Sequence, residues 1–153
     1  MSYDLMVFEP DAVPTGHEEF LEWYSRQTKW SEDHGYDDPA NTSQQLRAWY
    51  QDIVQMFPSM SKPISLDETA RDESSSTDYA IGRDFIYASF AWSKSEAAYM
   101  TVARLAEKHR LGLFNASSTG EEVWVPGDGK MVLAHDKEPP TIAGRIKSFL
   151  NFD

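Results

Sequence analysis

The residues able to do chemistry in this chain are few and badly spaced for it. The four histidines, His17, His34, His109 and His135, include no pair four apart, the spacing that sets two imidazoles on one helical face to hold a metal. His34 sits among Asp33, Asp37 and Asp38, a set of donors open to a divalent ion. Their spacing fits no calcium-loop pattern and reads as a solvated acidic turn. Gly127-Asp128-Gly129-Lys130 shares only its Gly-Lys pair with a phosphate-cradling loop and lacks the helix that would follow, so a hairpin turn is expected. Ser117, Ser118 and Thr119 stand outside any Gly-x-Ser-x-Gly elbow and read as loop. Carboxylate pairs such as Glu18 with Glu22 and Asp37 with Asp38 are too common in a chain with 25 Asp and Glu residues to single out an acid and a base. With no cysteine, disulfides, thiolate metal sites and thiol nucleophiles are excluded. Neither a catalytic residue nor a cofactor nor a metal is expected.

Binding is better served than catalysis. The formal net charge is -11, and all of it belongs to the first half. Residues 1 to 78 hold sixteen Asp and Glu against five Lys and Arg, whereas residues 79 to 153 hold nine of each. Charge needed only to keep molecules apart would be spread evenly, so a segregated acidic half points to a face that meets something basic. Two stretches concentrate it: Glu32, Asp33, Asp37 and Asp38 beside Trp30 and Tyr36, and Asp67, Glu68, Asp72 and Glu73 further on. Trp30 and Tyr36 are large amphipathic rings among acids, the setting of interface anchors. These ten residues are the candidate partner-binding set. Nucleic acid is disfavoured as a partner, because the aromatic stretches are interleaved with Asp and Glu in place of Lys and Arg. The same pattern suits a protein that covers a nucleic-acid-binding surface, with carboxylates standing where phosphates would lie.

Residues 1–153 fit one domain with a self-sufficient core. The start, Met1-Ser2-Tyr3-Asp4-Leu5, lacks a basic and an apolar leader region, and no apolar run approaches membrane length, so a cytoplasmic location is expected. Leu5 to Phe8, closed by Pro10 and Pro14, reads as a strand buried on both faces. Thr15 with Glu18 has capping-box spacing before a helix from about 16 to 29, and a second helix opens at Thr42 or Ser43 and ends before Pro58. Residues 59–78 lack periodicity and read as a mobile acidic loop. Tyr79 to Gly82 and Phe85 to Trp92 read as a hairpin, with Trp92 assigned to the core, and Ser93 with Glu96 as the capping box of a third helix. Short strands follow near Leu113, Val123 and Met131, and Ile142, Ile146, Phe149 and Leu150 suggest a final helix. Setting the second helix aside leaves βαββαβ, a ferredoxin-like split βαβ core in an α+β fold, with one mostly antiparallel sheet, helices on one face, an extra helix after the first and a C-terminal helix.

The opening Met1 to Phe8, the Trp30-Ser31-Glu32 with Tyr36-Asp37-Asp38-Pro39, and Asp78 through Gly82 to Phe90-Ala91-Trp92-Ser93 resemble small acidic bacterial proteins that act as immunity proteins beside secreted polymorphic toxins, in contact-dependent and type VI systems. The resemblance covers about two-thirds of the chain. It implies a non-enzymatic domain that binds a cognate protein toxin with a basic surface and occludes its active or substrate-binding site. It carries over no catalytic residue. The residues also admit a small cytosolic enzyme or ligand-binding domain using the sheet face, or an adaptor docking a basic protein. Oligomeric state is not legible here.

Overall fold

The first strand is the axis of the molecule. In the computed structural model, which describes residues 2–60 and 75–135, β1 (Ser2–Phe8) pairs antiparallel with β3 (Phe85–Ala91) on one side, from Ser2↔Ala91 to Phe8↔Phe85, and with β4 (Gly112–Phe114) on the other. Leu5, Met6, Val7 and Phe8 are all buried, because a strand paired on both edges and covered on both faces has no solvent side. β2 (Asp78–Ile81) pairs with β3, while β5 (Val123–Pro126) and β6 (Met131–His135) extend the far edge. The antiparallel order is β2-β3-β1-β4-β5-β6, and its first four strands are ordered as in the split βαβ arrangement. Gly112 lies opposite Phe8, and a Cβ there would enter the Phe8 ring, so glycine is what lets that ring lie across the neighbouring strand.

Both faces of the sheet are covered, which corrects the expectation that the helices share one face. Leu5, Val7, Ile81, Ile86, Ala88, Phe90 and Leu113 meet α2 (Gln44–Ile53) and α3 (Ser95–Lys108). From α2 come Leu46, Trp49, Tyr50 and Ile53 at i, i+3, i+4 and i+7, and from α3 Ala98, Val102, Leu105 and Ala106. The odd-numbered side of β1 thus builds the larger core. The even-numbered side, Met6 and Phe8 with Phe85, Phe114 and Val123, meets α1 (His17–Gln27) through Phe20 and Trp23. Ring centroids lie 5.2 Å apart for Phe8 and Phe20 and 6.1 Å for Trp23 and Phe85. The helix that crosses from β1 to β2 over the main core is therefore α2, and the supernumerary helix is the first, not the one after it.

Helix boundaries show where local signals misled. Neither expected capping box forms: α1 starts from Gly16, whose side Glu19 folds over, and α3 starts from Lys94 after a 3-10 turn at Trp92–Lys94. Ser43 does cap α2, its hydroxyl accepting the Leu46 N–H at 3.2 Å. Asp52 of α2 accepts from His109 at 2.7 Å and Lys108 at 2.9 Å, tying the two helices at one end and holding its own carboxyl below the usual range. α3 ends in a Schellman turn, with Leu111 N–H donating to the Ala106 carbonyl (2.8 Å) and Arg110 N–H to Glu107 (3.2 Å). Arg110 is left-handed there, at φ 57°. A side chain in that conformation costs about 1 kcal/mol more than glycine, the usual occupant. Residues 67–73 and the expected C-terminal helix lie outside the described residues. The connection that contains the former has its ends joined by a parallel bridge between Ser59 and Thr77, with Thr77 buried.

Candidate protein-binding surface

Several acids of the first half lie on the α1 side of the sheet, while Asp52 lies on α2 across it. α1 buries Phe20 and Trp23 and turns Glu18, Glu19 and Glu22 to solvent. Being short, α1 covers only the Phe8 end of β1. Beyond it the same face carries Asp4, Ser89 and Asp78 side by side, since paired residues of antiparallel neighbours project together. Asp4 is fixed by acceptor bonds: the Tyr87 hydroxyl donates to it at 2.6 Å and the Ser2 hydroxyl at 2.7 Å. Burial first, and then the Asp4 carboxylate, raises the Tyr87 phenol above its ordinary range, so it stays a donor.

The stretch from Trp30 to Asp38 is a strap, tied to the β2–β3 hairpin. The Glu32 carboxylate accepts the Arg83 backbone N–H (3.0 Å) and meets His34 Nε2 at 2.5 Å, while the other His34 nitrogen faces the Gly35 carbonyl at 2.7 Å. Two acceptors on one ring favour the imidazolium, and the His34 pKa is raised, by the Gly35 carbonyl first and the Glu32 carboxylate next. The Tyr36 carbonyl accepts the N–H of Ile81 on the edge strand at 2.8 Å, and its hydroxyl accepts the Glu32 N–H at 2.8 Å. The strap so occupies an edge that would otherwise be open to another chain.

The expected binding residues therefore divide. Glu32 is committed to the strap and Tyr36 packs against the α1-side core. Asp38 caps the turn Pro39–Asn41 through the Ala40 N–H (2.9 Å), and Asp33 pairs with Arg83 at 2.8 Å, both side chains largely in solvent. Such an exposed pair is worth roughly 0.2 to 1 kcal/mol. Trp30 fits the anchor role best: it is 42% exposed, yet its ring is propped by Tyr36 at 5.4 Å and Tyr87 at 5.8 Å. Asp67, Glu68, Asp72 and Glu73 lie outside the described residues. The outer row Glu18, Glu19 and Glu22 was missed, although its signal was plain: acids on the helix face opposite Phe20 and Trp23. Trp92, expected in the core, is 51% exposed and meets the Tyr3 ring edge-on at 5.5 Å, because the chain turns out of the sheet at Ala91.

Among the described residues no group of three or more His, Cys, Asp or Glu is placed to hold a metal ion, and no helix is long and apolar enough to cross a membrane. Comparison with protein-family models, with curated proteins and with solved structures finds no match.

Proposed function

We propose that this chain is an immunity protein, a cytoplasmic, non-enzymatic domain that binds a cognate toxin through a basic surface and covers its active or substrate-binding site. The observation that carries the reading is the sorting of charge by face. Glu18, Glu19, Glu22, Asp4 and Asp78 belong to the α1 side, against Arg26 and Lys29, and Asp33, Asp37 and Asp38 follow on the strap at the adjoining sheet edge. A rigid acidic face of this kind steers a basic protein, raising association from roughly 10⁵ to 10⁶ M⁻¹s⁻¹ toward 10⁸ at low salt. Trp30, exposed but propped, supplies an aromatic anchor at the rim of that face.

The test is co-expression with the product of the reading frame beside its gene. Wild-type protein is expected to restore growth, and a folded variant carrying Glu18→Gln, Glu19→Gln, Glu22→Gln and Trp30→Ala to protect poorly. A harmless neighbouring product, or full protection by the variant, counts against the reading. An adaptor for a basic protein would use the same face, and the same experiment separates it: it would bind without protecting.

A further inference from the structure

The α1 side of the sheet is only partly covered. α1 closes over Phe8, Phe85 and Phe114, and the strands run on past it. The uncovered part has a floor of short side chains: Ser2 beside Ala91, then Asp4, Ser89 and Asp78 in a row across β1, β3 and β2. Tyr87 borders this row, with Trp30 edge-on to it at 5.8 Å. We propose that this shallow recess seats one arginine side chain of a basic protein partner. The proposal deepens the immunity reading and rests on it for the kind of partner: the α1 glutamates steer, and this row holds.

The two carboxylates of the row keep their charge. Asp4 is held by neutral donors, the Tyr87 hydroxyl at 2.6 Å and the Ser2 hydroxyl at 2.7 Å, and among the described residues neither Asp4 nor Asp78 is paired with a lysine or arginine. A carboxylate fixed in this way has lone pairs left for a cation and its side-chain ordering already done. Spacing selects the cation. Neighbouring strands lie about 4.8 Å apart, so Asp4 and Asp78, on either side of β3, stand about 10 Å apart at their bases. An ammonium is a point charge that reaches one of them. A guanidinium carries donors along both edges and can turn one edge to each carboxylate, over the Ser89 hydroxyl, an acceptor that makes no hydrogen bond among the described residues. Its flat face also suits the Tyr87 ring, which lies along the row with its hydroxyl on Asp4.

The probe is the tripeptide acetyl-Gly-Arg-Gly-amide, titrated at constant ionic strength and read by amide chemical shifts, with its lysine analogue beside it. Saturable shifts confined to residues 2–4, 78–80 and 87–91 are expected, with the lysine peptide bound more weakly. Asp78→Asn should raise the dissociation constant of the arginine peptide about fivefold, the upper range for an exposed charge pair. Its melting temperature should not fall, because the Asp78 side chain is exposed and makes no hydrogen bond among the described residues. Asp4→Asn, which keeps an acceptor for Tyr87, should weaken binding similarly, while Glu18→Gln, Glu19→Gln, Glu22→Gln should leave it nearly unchanged. The two readings fail separately. A harmless neighbouring gene product would end the immunity reading and leave the peptide titration as expected. Shifts that fail to saturate or that centre on residues 18–22, equal affinity for the two peptides, or affinity unchanged in both aspartate variants would overturn the arginine seat, whatever the neighbouring product does.

Discussion

At the scale of residues, the strap depends on a few polar contacts, and His34 is its titratable member. Its folded-state pKa lies above the ordinary value near 6.5. The imidazolium contribution is thus complete below that ordinary value and is lost as pH rises through the raised one. Glu32→Gln removes the carboxylate partner while keeping a neutral acceptor. An imidazole NMR titration is expected to show the His34 pKa falling in this variant, with the Arg83 amide exchanging faster; an unchanged titration would mean that Glu32 does not hold the ring. His135 moves the other way, lowered by burial and then by His17, on which it stacks at 4.9 Å. Its neutral form therefore stabilises the fold above the ordinary value, and that support is lost on acidification. Broadening of the His135 ring signals and loss of β6 amide protection are expected as pH falls below the ordinary value near 6.5; a β6 equally protected at pH 5 and pH 7 would contradict this. The sequence showed that Trp30 and Tyr36 belong to an acidic loop, but not that Tyr36 would fill an edge position of the sheet, because that depends on which strand lies beside it.

At the scale of elements, the strands were more legible than the helices' places. The alternating buried residues of β3, Ile86, Ala88 and Phe90, and the double-sided burial of β1 follow from hydrophobic pattern. The same double-sidedness removed any clue to face: a strand apolar on both sides can receive a helix on either. α1 with Phe20 and Trp23, and α2 with Leu46, Trp49, Tyr50 and Ile53, both offer apolar stripes. The wider stripe and the place just before β2 mark α2 as the crossover helix. Capping boxes failed because Thr15-x-x-Glu18 is out of step by one residue with the helix that forms, whose third position is Glu19. If α1 is the cover of the second face, Phe20→Ala should cost about 3 to 5 kcal/mol, as expected for a large aromatic removed from a filled core. Ser43→Ala should cost about 1 kcal/mol through loss of the α2 cap. Urea melts measure both, and a Phe20→Ala loss below that of Ser43→Ala would show α1 to be loosely attached.

At the scale of the whole molecule, charge and topology coincide. Residues 1 to 60 supply β1, α1 and the strap, with Asp4, Glu18, Glu19 and Glu22 on the α1 side, and also α2, which sits on the other side with Asp52. The later residues supply α3, β5 and β6, and Arg104, Lys108, Arg110 and Lys130 stand with Glu107 where the end of α3 meets the β5–β6 turn. The charge asymmetry was legible in the sequence. Its conversion into two sides was not, since it required knowing that α1 and α3 lie on opposite faces. The most direct measurement is the association rate, against salt, of the purified product of the neighbouring reading frame with wild-type protein and with the Glu18→Gln, Glu19→Gln, Glu22→Gln variant. Screening lengths near 10 Å at 0.1 M salt leave fixed surface charges free to steer only at lower ionic strength. The account expects a wild-type rate that climbs steeply as salt is lowered and a variant rate that is slower and flatter, with similar dissociation. Equal rates and equal salt slopes for the two proteins would contradict it.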